Sequence, residues 1–322
     1  MDGSFHDREA TVEHVDEILP LPTLGMVGGS AELRAVRRAV LAFAALPVPV
    51  LVTGESGTGK ELVARALHDH SPRRARPFVA LNAAALPAAL IASELFGHER
   101  GAFTGATHRH RGVFEQADGG TLFLDEVADL APDLQAWLLR VLETGEVRPL
   151  GGERTRQVDA RVIAATHVEL EPAVAAGRFR ADLYWRLVVL RVHVPPLRER
   201  PEDIVPMARH LLAGLPLDEP RRLDDGALQV LILHDWLGNV RELRAVLLRA
   251  AARAGTTTLT AADIVNAIGR RLAMPERPEN DVQAALLATG GNVAKAARML
   301  DVPRTTLRDR LRAGSGSGPV TH

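Results

Sequence analysis

The stretch Gly54-Glu55-Ser56-Gly57-Thr58-Gly59-Lys60-Glu61 decides the fold of this chain. Gly54, Gly59 and Lys60 match the G-x-x-x-x-G-K spacing of a loop whose backbone N–H groups curl around phosphates, at the positive end of the following helix. Such a loop normally closes with Ser or Thr, which binds magnesium, and Glu61 stands there instead. We predict that all eight residues contact a nucleotide; the alternative is a structural glycine turn.

Short apolar runs surround this loop and alternate with helical patterns from residue 25 to about residue 194. Such alternation predicts a parallel sheet with flanking helices, the α/β class. The predicted strands are Val50–Val52, Phe78–Leu81, Leu122–Leu124 and Val162–Ala165, and the helices between them include Leu62–His68 and Leu134–Leu142. From Pro195 to about Leu272 the strands stop, which predicts a helical subdomain.

Two carboxylates follow one of these predicted strands. Asp125 and Glu126 come directly after Leu122–Leu124, where they would face the phosphate loop. We predict that Asp125 holds Mg²⁺ and that Glu126 polarises the attacking water, because nucleotide hydrolysis depends on positioning and charge stabilisation. The alternative is an ordinary acidic pair at the end of a strand. Lys60 is one of only two lysines in the chain, which favours a dedicated phosphate contact.

The composition excludes several classes of function. The chain of 322 residues has no cysteine, which excludes disulfide and thiolate chemistry and favours a reducing cytoplasm. Its net charge of -1 gives no global attraction to nucleic acid or membrane, so a DNA contact must come from a local patch. The acidic N-terminus is unlike a signal peptide. The longest apolar run, Ala39–Val52, is too short for a membrane span of about 20 residues.

A second glycine-rich segment, Gly101-Ala102-Phe103-Thr104-Gly105-Ala106, lies between the phosphate loop and the carboxylate pair. Its two glycines let the backbone fold back sharply, with the Phe103 ring as an apolar anchor and the Thr104 hydroxyl beside it. The pattern is compatible with a partner contact, and the alternative is a Phe103 ring tucked inward. Three nearby histidines, His98, His108 and His110, indicate a solvated basic loop rather than a metal site.

The C-terminus carries a helix-turn-helix pattern. Val293, Ala296, Ala297 and Leu300 share one helical face, and Pro303 suits the start of a second helix. That second helix is basic, and its predicted DNA contacts are Arg304, Thr305, Thr306, Arg308 and Arg312. The alternative is a dimerising helical hairpin with a charged outer face.

Taken together, these motifs resemble the AAA+ domain of bacterial sigma-54-dependent transcription activators, with a Fis-type helix-turn-helix module at the C-terminus. Further motifs that carry the resemblance, in chain order, are Glu94-Leu95-Phe96-Gly97-His98-Glu99, Phe179-Arg180-Ala181-Asp182-Leu183, Pro195-Pro196-Leu197-Arg198-Glu199-Arg200, Gly238-Asn239-Val240-Arg241-Glu242-Leu243 and Gly290-Gly291-Asn292-Val293-Ala294-Lys295-Ala296-Ala297. The hexapeptide 101–106 is nearly diagnostic of this family.

The resemblance implies a ring, usually a hexamer, with ATP and Mg²⁺ bound between subunits. It assigns β/γ-phosphate contact to Lys60 and contact with sigma-54 to Gly101, Ala102, Phe103, Thr104, Gly105 and Ala106. It also implies that Asn82 restrains Glu126 and that Thr166 occupies the sensor I position. Arg180 and Arg186 would be arginine fingers that reach the neighbouring subunit, and Arg241 would be the sensor II arginine of the lid.

The sequence departs from the family pattern at three positions. His167 stands where Asn is usual, Leu237 replaces a usual Pro, and Asp301 replaces a usual Gly in the turn of the helix-turn-helix. None of these changes removes a catalytic group, so we expect an active ATPase. The change at His167 bears on nucleotide sensing.

The expected domain plan follows from these motifs. It comprises an acidic N-terminal arm at 1–24, an α/β ATPase subdomain at 25–194, a helical lid at 195–272, a linker at 273–278, the helix-turn-helix domain at 279–313 and a flexible tail at 314–322. We expect no receiver or sensor domain in the arm, so control would come from a partner protein in trans or from expression level.

The leading hypothesis is an ATP-driven activator of the bacterial cytoplasm, associated with the nucleoid. It would bind upstream DNA as a dimer, assemble a ring and remodel sigma-54 RNA polymerase. One alternative is a repressor-like DNA-binding regulator that binds nucleotide but no longer drives sigma-54. Another is a remodelling ATPase that acts on other proteins. The intact hexapeptide favours the activator.

Overall fold

A computed structural model describes residues 24–269 of the chain, apart from residue 218. Its centre is a five-stranded parallel sheet in the spatial order β2-β3-β6-β1-β7. The strands of this sheet are β1 (Val50–Thr53), β2 (Phe78–Asn82), β3 (Thr121–Asp125), β6 (Arg161–Thr166) and β7 (Leu190–His193). Because every strand runs in the same direction, all the carboxyl ends meet at one edge of the sheet.

Strand pleating divides the apolar side chains between two cores, one on each face of the sheet. In β1, Leu51 joins one core, while Val50 and Val52 join the other. In β3, Phe123 likewise faces the opposite side from Leu122 and Leu124. Both faces are covered by helices, which is the arrangement expected of a parallel sheet with continuous apolar strands.

Helices flank the sheet and form the segment after it. In the described residues the α-helices are α1 (Ala31–Ala44), α2 (Lys60–Asp69), α3 (Ala88–Phe96), α4 (Val113–Gln116), α5 (Pro132–Thr144), α6 (Leu170–Ala175), α7 (Ala181–Leu187), α8 (Ile204–Ala213), α9 (Asp225–Leu233), α10 (Asn239–Arg253) and α11 (Ala261–Ile268). Helices α1 and α2 cover one face of the sheet, and α3, α5 and α7 cover the other.

Local sequence signals explain where several of these helices begin and end. The Ser30 hydroxyl accepts a hydrogen bond from the N–H of Leu33 and caps α1, and Asp224 caps α9 in the same way. Pro132 occupies the first turn of α5, and Gly145 ends that helix with a left-handed φ of 70°.

The predicted α/β class is confirmed, and the strands and helices extend slightly beyond the apolar runs that predict them. Each of the four predicted strands gains one or two residues, because polar strand ends carry no apolar signal. Helix α2 begins at Lys60 rather than Leu62, and α5 extends to Thr144.

The prediction that strands stop after Pro195 is wrong in one detail. A short parallel pair, β8 (Arg222–Leu223) and β9 (Thr258–Leu259), joins two connecting segments of the helical region. A second short pair, β4 (Glu146–Val147) and β5 (Arg156–Gln157), is antiparallel and flanks a loop after α5. Strands of two residues are too short to show an alternating pattern, so sequence periodicity does not reveal them.

Candidate nucleotide site and hexapeptide loop

The phosphate loop connects β1 to α2 at the carboxyl edge of the sheet. Gly54, Gly57 and Gly59 all have positive φ values, and two of them lie against backbone. A Cβ on Gly54 would overlap the carbonyl oxygen of Val194, and a Cβ on Gly57 would overlap that of Gly238. These positions therefore require glycine for space as well as for conformation.

Lys60 is buried and points back into the loop. Its Nζ donates to the carbonyl oxygen of Gly54 at 2.9 Å and lies 3.4 Å from that of Glu55. The same atom lies 3.6 Å from Oε1 of Glu126. The structure thus places Lys60, the predicted phosphate contact, beside Glu126, the predicted water-polarising carboxylate, where the phosphate loop leads into α2.

Asp125 ends β3 and pairs with Asn82 at the end of the neighbouring β2. Asn82 Nδ2 donates to Oδ2 of Asp125 at 3.1 Å, while its own Oδ1 accepts from the backbone N–H of Ala84. Burial and the negative charge of Glu126 raise the pKa of Asp125. The resemblance pairs Asn82 with Glu126, and the structure instead pairs it with Asp125.

Glu126 follows in a left-handed conformation, with φ 54° and ψ 49°. Its Oε2 accepts hydrogen bonds from His167 Nδ1 at 2.6 Å and from the backbone N–H of His167 at 3.1 Å. Burial acts to raise the pKa of Glu126, but the His167 hydrogen bond and the charge of Lys60 outweigh it, so the pKa is lowered. His167, rather than Asn82, is therefore the side chain that hydrogen bonds Glu126.

Thr166, at the predicted sensor I position, is fully buried. Its hydroxyl accepts from the N–H of Val168 at 3.0 Å and donates to the carbonyl oxygen of the same residue at 3.3 Å. Its carbonyl oxygen also accepts from the N–H of Gly54 at 3.3 Å, which ties β6 to the phosphate loop. Thr166 thus supports the loop through its backbone, and the side chain beside the carboxylates belongs to His167.

Arg180 and Arg186, the predicted arginine fingers, are exposed at α7. Arg180 precedes this helix and pairs with Asp182 at 2.7 Å. The Arg186 guanidinium donates to the carbonyl oxygen of Leu142 at 2.7 and 3.1 Å. These partners lie outside the phosphate loop of the same chain.

The helical region closes over the phosphate loop through Asn239, the first residue of α10. Asn239 is fully buried with a left-handed φ of 52°. Its Nδ2 donates to Glu55 Oε2 and to the carbonyl oxygen of Ser56, both at 3.1 Å, and its Oδ1 accepts from the N–H of Leu197 at 2.7 Å. One side chain therefore joins the phosphate loop to the first turn of the helical region.

Glu55 also receives Arg198. The two side chains form a bidentate ion pair at 2.7 and 2.5 Å, and the Arg198 hydrogen bond holds the pKa of the Glu55 carboxyl below its usual value. Arg198 and Asn239 lie within motifs that carry the family resemblance, but nothing in their spacing reveals that both bind Glu55. Sequence reasoning missed this three-residue contact.

Arg241, the predicted sensor II arginine, lies one residue beyond Val240 on α10. Its Nη1 donates to the hydroxyl of Ser56 at 2.9 Å, and the Val240 N–H donates to the carbonyl oxygen of Gly57 at 3.0 Å. The guanidinium is thus held beside the phosphate loop by the helix that covers it. Exposed Leu237 and buried Trp236 form the turn that leads into this helix.

The hexapeptide loop follows α3, which ends at Phe96. Gly101 and Gly105 have φ values of 84° and 103°, and a Cβ on either would meet no atom within 4 Å. The turn is closed by hydrogen bonds from Gly101 N–H to the Ala106 carbonyl and from Ala106 N–H to the Phe103 carbonyl. Phe103 remains 42% exposed, with one edge against the ring of His98 at a centroid distance of 4.9 Å. Thr104 is exposed, as are both glycines.

The base of this loop is rigidly held. His98 and His110 exchange two backbone hydrogen bonds, and Gly151 contacts Ala102 so closely that a Cβ on Gly151 would lie 2.8 Å from the Ala102 Cβ. Below the loop, Glu115 receives three arginines, namely Arg109 at 3.1 Å, Arg111 at 2.9 Å and Arg156 at 2.6 Å. A fixed base therefore carries an exposed tip.

Two of the three histidines near the loop, His98 and His110, stack with their ring centroids 5.6 Å apart, but their side chains have different polar partners. His98 Nδ1 lies 2.7 Å from the Ser93 hydroxyl, His110 lies 3.4 Å from Glu94, and His108 is exposed. Across the part of the chain that the structure describes, no group of three or more His, Asp or Glu side chains is arranged to hold a metal ion.

The carboxylates at the sheet edge have the donor chemistry of a magnesium–nucleotide site. Magnesium binds through one or two protein carboxylates together with substrate phosphates and water. Burial and the negative charge of Glu126 raise the pKa of Asp125 against the opposing charge of Lys60, so a bound cation would favour the ionised carboxylate. Asp125 is the carboxylate at this edge whose chemistry suits such an ion.

The predicted DNA contacts lie outside the described residues. This holds for Arg304, Thr305, Thr306, Arg308 and Arg312, and also for Asp301. Within residues 24–269, apart from 218, no helix has the length and apolar character needed to cross a membrane.

Comparison with known protein families assigns three consecutive regions. Residues 26–193 match the sigma-54 interaction domain, residues 198–280 match the AAA+ ATPase lid domain, and residues 282–314 match the Fis family of bacterial regulatory proteins. The first match alone covers more than half of the chain. The predicted AAA+ domain, helical lid and Fis-type helix-turn-helix are thereby confirmed as domain types.

Individual relatives agree with this assignment. The chain is 45% identical over 308 residues to the transcriptional regulatory protein ZraR of Klebsiella oxytoca, covering 91% of this chain and 69% of that protein. It is 46% identical to the Nif-specific regulatory protein of Azotobacter vinelandii, covering 89% and 58%.

Solved structures of NtrX from Brucella abortus in complex with ADP and with ATP are 34% identical, with TM-scores of 0.70 and 0.68. Each match covers 90% of this chain and 69% of theirs. The chain belongs to the family of sigma-54-dependent transcription regulators, and it combines a nucleotide-binding AAA+ domain with a DNA-binding module.

Proposed function

We propose that this family member hydrolyses ATP in an oligomeric ring and uses the energy to remodel sigma-54 RNA polymerase at promoters, after binding upstream DNA. One observation carries the proposal. A single domain holds Lys60 and Glu126 3.6 Å apart at its phosphate loop and also presents the exposed Phe103–Thr104 tip on a fixed base.

ATP binding would begin at the phosphate loop. Lys60 Nζ donates to the loop's own carbonyls, so incoming phosphates would take over its hydrogen bonds. The backbone N–H groups at the start of α2 would add a further anion site. The other proposed contacts are Gly54, Glu55, Ser56, Gly57, Thr58, Gly59 and Glu61.

Glu126 is the proposed general base. A carboxylate beside the terminal phosphate accepts a hydrogen bond from the attacking water and so orients it. Asp125 would hold Mg²⁺, which supplies positive charge to the phosphates when it is bound. Asn82 holds the Asp125 carboxylate in place through the 3.1 Å hydrogen bond.

A ring completes the site in this proposal. Arg180 precedes α7 and Arg186 lies on it, and both are exposed, so a neighbouring subunit could draw each guanidinium from its present partner. A guanidinium supplied in trans stabilises charge on the transferring phosphoryl group. Arg241 reports on the same phosphates from the lid, because it already hydrogen bonds Ser56.

The hexapeptide loop is the proposed contact with sigma-54. Its glycines have open space around them, so they serve the backbone turn and not packing. The exposed ring of Phe103 is an apolar anchor of the kind found at interaction sites. The fixed base lets a change in the ATPase domain displace the tip as a unit.

DNA recognition is assigned to the C-terminal module. Arg304, Thr305, Thr306, Arg308 and Arg312 lie in the segment that matches the Fis family, and their side chains suit phosphates and guanine edges. We further propose the domain boundaries given above, location at the bacterial nucleoid, and control by a partner protein in trans.

The test is capture of purified sigma-54 by the full-length protein, with and without ADP–aluminium fluoride, which imitates the transition state of hydrolysis. We expect capture only with the analogue, and loss of capture in T104A. A matched control is T257A, at an exposed threonine in the lid. Hydrolysis without any capture would overturn the sigma-54 part of the proposal and favour a repressor-like regulator.

A further inference from the structure

Both oxygens of the Glu126 carboxylate are occupied in the structure. Oε2 accepts two hydrogen bonds from His167, one from the ring at 2.6 Å and one from the backbone at 3.1 Å. Oε1 faces Lys60 Nζ at 3.6 Å. The side chain is only 13% exposed, so most of its surface is covered by protein.

The short contact also fixes the proton on the imidazole. An ionised carboxylate can only accept hydrogen bonds, so Nδ1 of His167 carries the proton that lies between the two groups. Hydrogen bonds of this kind, with one ionised partner, are stronger than neutral ones. Glu126 and His167 are 41 positions apart in the sequence, and they directly follow the ends of the adjacent strands β3 and β6.

This arrangement opposes the chemistry assigned to Glu126. A general base needs a free carboxylate oxygen directed at the water, and hydrogen bonds donated to that oxygen weaken it as an acceptor. Nucleotide binding would draw Lys60 to the phosphates and away from Oε1, which leaves His167 as the remaining restraint. Asn82, the residue expected in that role, is engaged with Asp125.

We propose that His167 is a positioning residue that holds Glu126 in a resting orientation and releases it when the active site assembles around nucleotide. The inference rests on the proposed ATPase function. It assigns to His167 the restraint that the family resemblance places on Asn82. His167 is not a catalytic residue, since it touches Glu126 and not the reacting atoms.

Two substitutions of His167 test this positioning role. In H167N the new amide nitrogen is bonded to Cγ, the same atom that bears Nδ1 in histidine, so a donor remains at nearly the same place. H167A removes the side-chain donor and keeps the backbone N–H that also binds Oε2. The two variants therefore separate loss of the donor from loss of the imidazole.

The first experiment measures steady-state ATP hydrolysis. We expect kcat of H167A to rise roughly threefold to tenfold, the net effect of losing one hydrogen bond while the His167 backbone N–H still binds Oε2, with little change in KM for ATP. H167N restores the restraint, so its kcat lies closer to the parental value. A kcat of H167A equal to or below that of the parent would overturn the inference.

A second experiment does not depend on turnover. ¹⁵N NMR of histidine-labelled protein should show His167 as the Nδ1–H tautomer without nucleotide, with its signal assigned by its loss in H167N. We expect that signal to change when ADP–aluminium fluoride is added. An Nε2–H tautomer, or a signal unaffected by the analogue, would contradict the proposal.

The two experiments also distinguish this inference from the proposed function. A parent protein that fails to hydrolyse ATP contradicts the proposed function, while the NMR signature still reports on the contact. A parent that hydrolyses ATP, with H167A no faster, contradicts the role of His167 alone.

Discussion

The phosphate loop and the hexapeptide loop are both rich in glycine with positive φ, but they use glycine for different reasons. In the phosphate loop, a Cβ on Gly57 would collide with the Gly238 carbonyl oxygen, because the helical region is packed against the loop. In the hexapeptide loop, a Cβ on Gly101 would meet nothing within 4 Å. One loop is an enclosed chemical site and the other is an exposed contact, although their sequences look alike.

The groups proposed to activate the attacking water lie in the enclosed loop and its facing carboxylates. We expect E126Q to reduce kcat for ATP hydrolysis by about 10²- to 10⁴-fold, the usual contribution of a general base, while nucleotide binding persists. Steady-state assays together with ADP titration test this. E143Q, at an exposed glutamate on α5, is the matched control. Parental kcat in E126Q would show that another residue activates the water.

A glycine-to-alanine pair tests the difference between the loops directly. In G101A the added methyl group only strains a left-handed backbone, at a cost of about 1–2 kcal/mol in the free energy of unfolding. G57A carries the same strain and also a backbone clash, which adds about 1–3 kcal/mol and weakens ADP binding. Urea unfolding with and without ADP measures both. Equal losses in the two variants would contradict the packing of the helical region on the phosphate loop.

The buried link between lid and loop predicts a smaller effect. N239A leaves the Leu197 N–H without its 2.7 Å acceptor in a buried place, and we expect a loss of about 1–3 kcal/mol in the free energy of unfolding. N266A, at an exposed asparagine on α11, is the control. If N239A were as stable as N266A, Asn239 would not be joining the two regions.

The smallest expected effect is the pH dependence of stability that comes from the exposed ion pair between Glu55 and Arg198. The Arg198 hydrogen bond lowers the pKa of Glu55 from its usual 4.5, so Glu55 stabilises the folded protein above that pH. This contribution is lost as the pH falls through the lowered pKa. We expect the parent to have a slightly higher Tm than E55Q at neutral pH, with the difference shrinking as the pH falls below 4.5 and disappearing below the lowered pKa. A difference independent of pH would refute the ion pair, with E143Q again as the control.

The sequence predicts the parts of the nucleotide site whose residues lie within a single short segment. The spacing within 54–61 and the apolar strand before Asp125 predict which groups meet at the sheet edge, because parallel strands end together. Strand alternation also explains one difference from expectation. Thr166 points into the core, so the next residue, His167, faces the carboxylates.

Contacts between segments that are far apart in the sequence could not be predicted from residue spacing. Glu55 contacts Arg198 and Asn239, which lie 143 and 184 positions away in the sequence. These contacts form because the helical region packs against the phosphate loop. The choice of Asp125 over Glu126 as the partner of Asn82 likewise depends on side-chain directions at two strand ends. Residue spacing does not encode either arrangement.

The most direct test of the central claim is formation of open promoter complexes by sigma-54 RNA polymerase. Closed complexes on a sigma-54 promoter would be mixed with the full-length protein and ATP, and heparin-resistant complexes counted. We predict ATP-dependent resistant complexes that disappear in T104A but persist in T257A. Resistant complexes in T104A equal to those of the parent, or none with a parent that hydrolyses ATP, would contradict the account.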